Sequence, residues 1–333
     1  MVAASALITG WMRRYALQRD LLDMPNARSS HSRPTPRGGG VSVVVVSLAS
    51  TLLVFLAGWI PPSIVTSLAG GGVAVAAIGH LDDHRHVPAR WRLLVHLLAA
   101  LWVVGWLDGM EPISLPGFEL QMGWAGAAIG VLWIAWLLNL YNFMDGIDGL
   151  AAVEAVTVSA CAAALLFLAG ATGLALLMVA LSAAALGFLV WNWPPAKIFM
   201  GDAGSGYIGF VFGSMALISR ALDALVLWAW LILLGVFLVD ATMTLLHRLI
   251  RKERVYEPHC SHAYQRAARR YAAHRPVTVA VGLINLLWLF PLAWAATRWQ
   301  EWGIALTIVA WAPLVVLAAS LGAGNRENQL SSV

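Results

Sequence analysis

Asn139-Leu-Tyr-Asn142-Phe-Met-Asp145-Gly-Ile-Asp148-Gly-Leu150 is the stretch around which the chain is organised. It places two carboxylates and two carboxamides between the apolar runs 124–138 and 151–168. Charged groups are costly inside a bilayer, so ionisable residues at the seam between two apolar helices indicate a functional site. Their oxygen atoms suit a hard cation such as Mg²⁺, which usually keeps waters and phosphate oxygens as further ligands. The alternative is a solvated loop with helix caps, although a cap needs only one such residue.

The composition is that of a membrane protein. Of the 333 residues, 60% are apolar and only 11% are charged, whereas a soluble domain carries roughly 25% charged residues. We predict an all-α, polytopic integral membrane protein, a single transmembrane helical domain over 1–333 with about ten or eleven spans and a long cytoplasmic loop at 247–275. Because a span needs about 20 mainly apolar residues, the candidates are 2–17, 41–60, 63–80, 93–107, 123–141, 150–170, 172–190, 206–220, 224–246, 276–296 and 302–322.

The placement of basic residues predicts the orientation. Of the 21 Lys and Arg, only Arg220 and Arg298 fall at one set of alternate loops, which leaves 21 − 2 = 19 at or near the other set. Cytoplasmic loops carry the positive excess, so the N-terminus is predicted to lie outside. The external loop 108–122 carries Asp108, Glu111 and Glu119 and no basic residue. The net charge of +4 therefore reflects topology and does not indicate nucleic-acid binding.

Every polar cluster falls on the predicted cytoplasmic face. A channel or transporter is expected to carry polar groups on both faces or through the midplane. One-sided chemistry favours an enzyme that brings a soluble cytosolic substrate to a membrane-embedded one. The clusters are 28–40, 82–92, 139–148, 192–205 and 248–275.

Two of these clusters combine acidic residues with turns. Asp82 and Asp83 follow an apolar helix, so both can serve one site only at a helix end, where they could hold Mg²⁺ or accept a proton; Arg92 in the next helix suits phosphate. The alternative is a positive-inside loop with acidic partners. In the turn 198–206, glycines precede a helix whose first N–H groups form a natural anion site. Asp202 could reach a metal held at this site. Phe199 could stack on a base or a sugar.

The last long loop contains His259-Cys-Ser-His262 and Arg266. His and Arg side chains together suit phosphate. Zinc held by these residues is an alternative, but their spacing matches no structural zinc pattern, and the two cysteines predict no disulfide framework. Asp240 lies inside an apolar run; two roles stay open for it, burial against the cytoplasmic site and pairing with a basic neighbour.

Taken together, these residues resemble the polyprenyl-phosphate N-acetylhexosamine-1-phosphate transferases. The matching stretches follow one another along nearly the whole chain, and five of them in order on one face are highly specific. The last loop lacks the run of consecutive histidines of the enzyme that makes the first lipid-linked peptidoglycan precursor, so the chain is closer to the branch that initiates O-antigen synthesis. The stretches are 23–40, Asp82-Asp83, 139–149, 198–205 and the His-containing loop.

The resemblance implies a cytoplasmic active-site cleft in a multi-pass protein of the bacterial inner membrane. The implied reaction moves a sugar 1-phosphate from a UDP-N-acetylhexosamine to undecaprenyl phosphate and releases UMP; the choice among GlcNAc, FucNAc and QuiNAc stays open, as does a homodimer. Mg²⁺, with Mn²⁺ as an alternative, is the implied cofactor. By motif, Asp202 is the principal metal ligand with Asn142 as a second, and Asp82 and Asp83 are the essential acidic pair. Residues implied near the substrates are Asn139, Asp145, Asp148, Phe199, Arg92, His259, His262 and Arg266.

Two mechanisms and two other functions remain as alternatives. The lipid phosphate attacks directly, with Asp82 or Asp83 holding or deprotonating it, or an aspartyl intermediate forms. A CDP-alcohol phosphotransferase also works in a membrane with Mg²⁺, but its Asp-Gly-x-x-Ala-Arg pattern is not matched at Asp145-Gly-Ile-Asp-Gly-Leu150. A membrane transporter is the remaining alternative.

Overall fold

The computed structural model describes residues 1–25, 33–85, 87–107, 122–253 and 259–325, and the backbone of 113–115 and 118–120. Arg28 and the acidic side chains predicted in the external loop lie outside the described residues. The described chain is almost entirely helical, which confirms the all-α polytopic prediction. The helices are α1 Val2–Gln18, α2 Val41–Leu56, α3 Pro62–His84, α4 Ala89–Trp106, α5 Gly123–Phe143, α6 Leu150–Leu168, α7 Thr172–Asn192, α8 Asp202–Ala221, α9 Leu227–Leu233, α10 Gly235–Ile250, α11 Ala263–Arg270, α12 Arg275–Ile284, α13 Phe290–Arg298 and α14 Gly303–Ser320.

Each of the eleven predicted spans is helical, although not all have the dimensions of a span. Within the described residues, seven helical segments are long and apolar enough to cross a membrane: α3 to α7, the segment 275–298 and the segment 300–320. Helices α1 and α2 have only 17 and 16 residues. Helix α8 is buried from Ala203 to Ser219. Because protein rather than lipid surrounds α8, its Gly and Ser residues carry little cost.

The predicted span 224–246 is broken. Helices α9 and α10 meet at Leu234 with a bend of 76°. The indole of Trp311 on α14 donates a hydrogen bond to the Leu231 carbonyl at 3.0 Å, at the end of α9. A helix that ends within a membrane leaves carbonyl groups that need such donors, so the break depends on a residue far away in sequence. Counted as one span, this pair would be the eighth.

Helices α12 and α13 are joined by a π turn, Asn285–Leu289. The wider turn inserts one residue into the helical repeat, and such π turns lie frequently at functional sites. The predicted span 276–296 therefore runs through a local irregularity that starts at Asn285.

The polar loops meet at one end of the bundle, here called the polar end. Two short strands, β1 Leu22–Asp23 and β2 Thr35–Pro36, pair there as antiparallel neighbours. The chain that follows β2 lies beside residues 199–200, with Gly40 donating to the Met200 carbonyl at 2.8 Å. A second antiparallel pair, β3 Ile113–Leu115 with β4 Phe118–Leu120, lies between α4 and α5. In the predicted loop 247–275, α10 continues to Ile250 and α11 occupies 263–270.

Candidate active site

A cavity of about 230 Å³ opens at the polar end. It brings together residues from all five predicted clusters, which are far apart in sequence. Of the predicted site residues, Asp83, Asn142, Asp145, Asp148, Phe199 and Asp202 line it. The other lining residues are Asp23, Arg37, Gly146, Ile147, Asn192, Gly201, Gln265 and His274.

Asp83 caps the first turn of α8. Its Oδ1 accepts a hydrogen bond from the Asp202 backbone N–H at 3.0 Å, and its Oδ2 accepts one from the Ala203 N–H at 3.3 Å. A carboxylate at a helix N-terminus is stabilised by the unpaired N–H groups and by the helix dipole. The anion site predicted at this turn is therefore filled by the protein's own side chain, which is 3% exposed.

Two glycines make this cap possible. Gly201 has φ +79°, and a Cβ at this position would come within 2.6 Å of the Asp83 carboxylate. Gly79, one turn before Asp83, lies so close to α8 that a Cβ would come within 2.6 Å of the Asp202 and Ala203 backbone. Only a residue without a side chain allows both the left-handed turn and the close approach of α3 to α8.

Arg92 links the other two predicted catalytic carboxylates. Its Nη1 donates to Asp202 Oδ2 at 2.7 Å and also forms an ion pair with Asp82 Oδ2. Asp82 accepts a further hydrogen bond from the Val87 N–H at 2.7 Å. Adjacent Asp82 and Asp83 thus point to different partners, and the predicted acidic pair acts at two separate places. Arg92 thus contacts both Asp82 and Asp202.

Asp145 and Asn142 supply further oxygen atoms to the cavity. The Ser205 hydroxyl donates to Asn142 Oδ1 at 2.9 Å. Burial together with the nearby carboxylates of Asp202, Asp83 and Asp148 raises the pKa of Asp145 well above its usual value. Among the described residues, none donates a hydrogen bond to the Asp145 carboxylate, so repulsion between these carboxylates is only partly compensated by protein groups.

This donor set fits a hard divalent cation. All the candidate ligands are carboxylate or carboxamide oxygens, and their crowding favours a positive charge between them. In the described part of the chain, no group of three His, Cys, Asp or Glu side chains forms a complete metal cage. Mg²⁺ is commonly held by one or two carboxylates together with substrate phosphates and water, so Asp202 and Asn142 fit it as a partial ligand set.

Asp148 holds the cavity wall together. Its Oδ2 accepts a hydrogen bond from the Ala196 N–H at 3.0 Å and lies 3.3 Å from His274 Nδ1. The Thr278 hydroxyl donates to the Asp148 carbonyl at 2.8 Å. These contacts tie the loop after α5 to the loop after α7 and to the start of α12. His274 was not predicted from the sequence, because a single histidine beside a membrane-facing helix carries no motif.

Two buried side chains continue this network. Asn192 Oδ1 accepts a hydrogen bond from the Gly149 N–H at 2.9 Å, and its Nδ2 donates to the Ile198 carbonyl at 2.9 Å. Gln265, on α11, also lines the cavity and completes a capping box at His262. Both residues fix loops through backbone contacts, which sequence patterns do not identify.

Asp240 has a structural role at the polar end. Its two oxygens accept hydrogen bonds from the backbone N–H groups of Ala263 and Tyr264, each at 2.9 Å. His262 Nδ1 lies 3.3 Å from Asp240 Oδ1. Asp240 thus caps α11 as Asp83 caps α8, and its partners are two backbone N–H groups, a histidine and the Thr244 hydroxyl, which donates to Oδ1 at 3.2 Å.

The predicted phosphate-facing residues of the last loop lie beside the cavity and do not line it. His259 stacks on His262 with ring centroids 4.9 Å apart, and burial, with nearby His262 and Arg248, lowers the pKa of His259 to about 3. Arg266 Nη1 donates to the Asn325 carbonyl at 3.0 Å. The Tyr264 hydroxyl donates to the Phe143 carbonyl at 2.9 Å, which holds α11 against the loop after α5.

Asn139 lies about one turn deeper along α5 than Asn142. Its Nδ2 donates to the Ala135 carbonyl at 2.7 Å, and Asn139 is not among the residues that line the cavity. The predicted pair of carboxamides is therefore divided between the cavity and the body of the helix.

Comparison with known proteins places these residues in a wider group. The sequence model of glycosyl transferase family 4 matches residues 65–220 of this chain. Over 286 residues the chain is 27% identical to a probable undecaprenyl-phosphate N-acetylglucosaminyl 1-phosphate transferase of Bacillus subtilis, covering 84% of this chain and 79% of the relative. Over 319 residues it is 28% identical to a decaprenyl-phosphate N-acetylglucosaminephosphotransferase of Mycolicibacterium smegmatis, and the match covers 86% of this chain and 77% of the relative. A phospho-N-acetylmuramoyl-pentapeptide-transferase of Moorella thermoacetica is 33% identical over 200 residues, which cover 56% of this chain and 62% of the relative.

Proposed function

Because the chain belongs to glycosyl transferase family 4, we propose that it transfers an N-acetylhexosamine 1-phosphate from a UDP-sugar to undecaprenyl phosphate and releases UMP. Transfer of a phosphosugar to a polyprenyl phosphate is the reaction class that the relatives' names share. The proposed product is a lipid-diphosphate-linked sugar that initiates a cell-surface polysaccharide of the O-antigen kind.

The cavity at the polar end carries this proposal. It joins crowded carboxylates, an aromatic side chain and an arginine at the boundary of a membrane-spanning bundle. A UDP-sugar and a lipid phosphate are both polyanions, so a site that joins them has to neutralise charge. The oxygen set of Asp202, Asn142 and Asp145 supports a divalent cation for that purpose.

Asp202 and Asn142 would hold Mg²⁺ or Mn²⁺, which when bound neutralises the diphosphate and polarises the departing UMP. Phe199 would stack on the uracil ring, and Asp148 would fix the nearby loop. An oxygen of the lipid phosphate attacks the sugar-bearing phosphorus in line, and the bond to the UMP oxygen breaks. Asp83, which the N–H groups of α8 hold in the cavity wall, would hold the lipid phosphate or accept its proton. Arg92 would release Asp202 and contact phosphate.

The proposed setting is the bacterial inner membrane, with the cavity open to the cytoplasm and the N-terminus outside. The distribution of 19 of the 21 basic residues supports this orientation. In this orientation the cytoplasm would supply the UDP-sugar, and the polar end would face the headgroup of a membrane-bound lipid phosphate. A single-cysteine labelling experiment tests the orientation with Asp20→Cys and Asp223→Cys, which lie on the cytoplasmic and the external side in the proposed orientation.

The reaction is tested with purified protein in detergent, undecaprenyl phosphate, Mg²⁺ and a panel of UDP-N-acetylhexosamines headed by UDP-GlcNAc. UMP release is measured with and without lipid and with EDTA. We expect release only with lipid, loss with EDTA, and a fall of at least about two orders of magnitude in Asp202→Asn, since a metal ligand at the transition state is worth several kcal/mol.

Asp223→Asn is the matched control, because Asp223 is an exposed carboxylate outside the cavity. It should keep wild-type turnover. Folded protein that releases no UMP with any sugar of the panel would refute the proposed reaction, and the same preparation would then be assayed with a CDP-alcohol donor.

A further inference from the structure

A carboxyl group that the proposed reaction does not use is buried in the first turns of α6. Glu154 lies on α6 and is 0% exposed, and Asn285, the first residue of the π turn, is 1% exposed. Asn285 Nδ2 donates to Glu154 Oε2 at 2.7 Å and to Thr157 Oγ1 at 2.8 Å. The two residues are 131 positions apart in sequence, so this contact joins α6 to the helix pair α12 and α13.

If Glu154 is ionised, the Glu154–Asn285 pair has more buried hydrogen-bond acceptors than donors. Both N–H groups of the Asn285 carboxamide are used by Glu154 and Thr157. Glu154 Oε1 and Asn285 Oδ1 are both buried, and neither has a hydrogen-bond partner within the described residues. Two buried acceptors without a donor cost free energy, and a single proton on Oε1, donated to Oδ1, satisfies both.

Among the described residues, no positive charge acts on Glu154. Two described titratable groups that interact with it are Tyr141 on α5 and Cys161 on α6, and neither can be a cation. Helices α7 and α9, which also pack on α6, contain no Asp, Glu, Lys, Arg or His. On α12 and α13 the basic residues are Arg275 and Arg298, which are 10 and 13 positions from Asn285, or roughly 15 Å and 20 Å along a helix.

We propose that Glu154 is a proton-binding site: an un-ionised carboxylic acid that donates a hydrogen bond to Asn285 Oδ1 and clamps α6 to the π turn. Glu154 thereby acts as a positioning residue. Thr278, seven residues before Asn285 and on the same face of α12, donates to the Asp148 carbonyl. The clamp therefore holds the helix that holds the cavity wall, and the inference does not depend on the proposed reaction.

Infrared difference spectroscopy tests the proton directly. Wild type minus Glu154→Gln at pH 7.5 should show the carbonyl stretch of an un-ionised carboxylic acid, shifted in D₂O. The matched control is Glu301→Gln, because Glu301 is exposed, and its difference spectrum should lack that band. Absence of the band in the Glu154→Gln difference would overturn the proposal, whether or not the protein releases UMP.

Variants of the pair test the clamp. A glutamine can donate to Asn285 Oδ1 and accept from its Nδ2, so Glu154→Gln should keep the unfolding midpoint and the slow amide exchange of residues 146–150. Glu154→Met leaves Oδ1 and one N–H of the Asn285 carboxamide without a partner, while Thr157 still accepts from the other N–H. We expect a midpoint lower by at least about 4 °C with faster exchange of that loop. Equal exchange in both variants, in protein that stays folded, would overturn the positioning role.

Discussion

Replacing Asp83 with asparagine should destabilise the start of α8 by an amount that the geometry sets. The carboxylate accepts two backbone N–H groups, at 3.0 Å and 3.3 Å. A carboxamide has one acceptor oxygen, so Asp83→Asn keeps one bond as a neutral one and turns an N–H group toward the other donor. Hydrogen bonds to a charged group contribute about 1.5–3 kcal/mol and neutral ones about 0.5–1.5 kcal/mol.

The loss of one charge-assisted bond and the weakening of the second together amount to roughly 3 kcal/mol. A charge at a helix N-terminus contributes up to about 2 kcal/mol of this in a partly buried site. The free energy of unfolding would be measured by SDS titration in mixed micelles followed by circular dichroism, with EDTA present so that no cation binding contributes.

Hydrogen exchange locates the effect. The amides of Asp202 and Ala203 should exchange faster in Asp83→Asn, whereas Asp223→Asn should leave both the exchange and the free energy of unfolding unchanged. An Asp83→Asn protein within about 0.5 kcal/mol of wild type, with unchanged exchange at residues 202–203, would refute the capping role.

Three further predictions concern neighbouring features. Gly201→Ala should lower the free energy of unfolding by about 2 kcal/mol or more, because φ +79° is strained for alanine and its Cβ would meet the Asp83 carboxylate; a variant as stable as wild type by the same titration would contradict this. Asp240→Asn should speed amide exchange at residues 263–264, because an asparagine can accept a hydrogen bond from only one of these two N–H groups. Unchanged exchange there would show that Asp240 does not cap α11. The pKa of His259 is lowered to about 3 from an ordinary 6.5, so the unfolded state binds the proton first and His259 costs stability increasingly as pH falls from about 6.5 toward 3. His259→Gln should therefore lose less stability than wild type between pH 7.5 and 5, and parallel pH profiles would contradict that.

The fold class and the site were predictable where the sequence signal is local. Apolar runs near 20 residues predict each span independently, and the cluster from Asn142 to Asp148 stands out because polar residues are costly at the boundary of a membrane. The juxtaposition of Asp145 with Asp202 follows from placing every cluster on one face. Those steps need no knowledge of how the helices pack.

Features that depend on distant partners were not predictable. Asp82 and Asp83 look alike in sequence, and only the packing of α3 against α4 and α8 shows that Asp82 pairs with Arg92 whereas Asp83 caps a helix. The break at Leu234 depends on an indole from α14. In the sequence, Glu154 is a single acidic residue within an apolar run, and its pairing with Asn285 could not be predicted because the two lie 131 positions apart.

The two capped helices change what a phosphate meets on entering the cavity. Helix N-termini are ready-made anion sites, but here α8 and α11 have already been supplied with internal counter-anions by α3 and α10. A phosphate that enters the cavity therefore meets two helix N-termini whose N–H groups already bind carboxylates, and the described lining holds five Asp and one Arg. Under the proposed reaction, UMP would therefore bind together with its cation, so that loss of the cation and release of the product would be coupled steps.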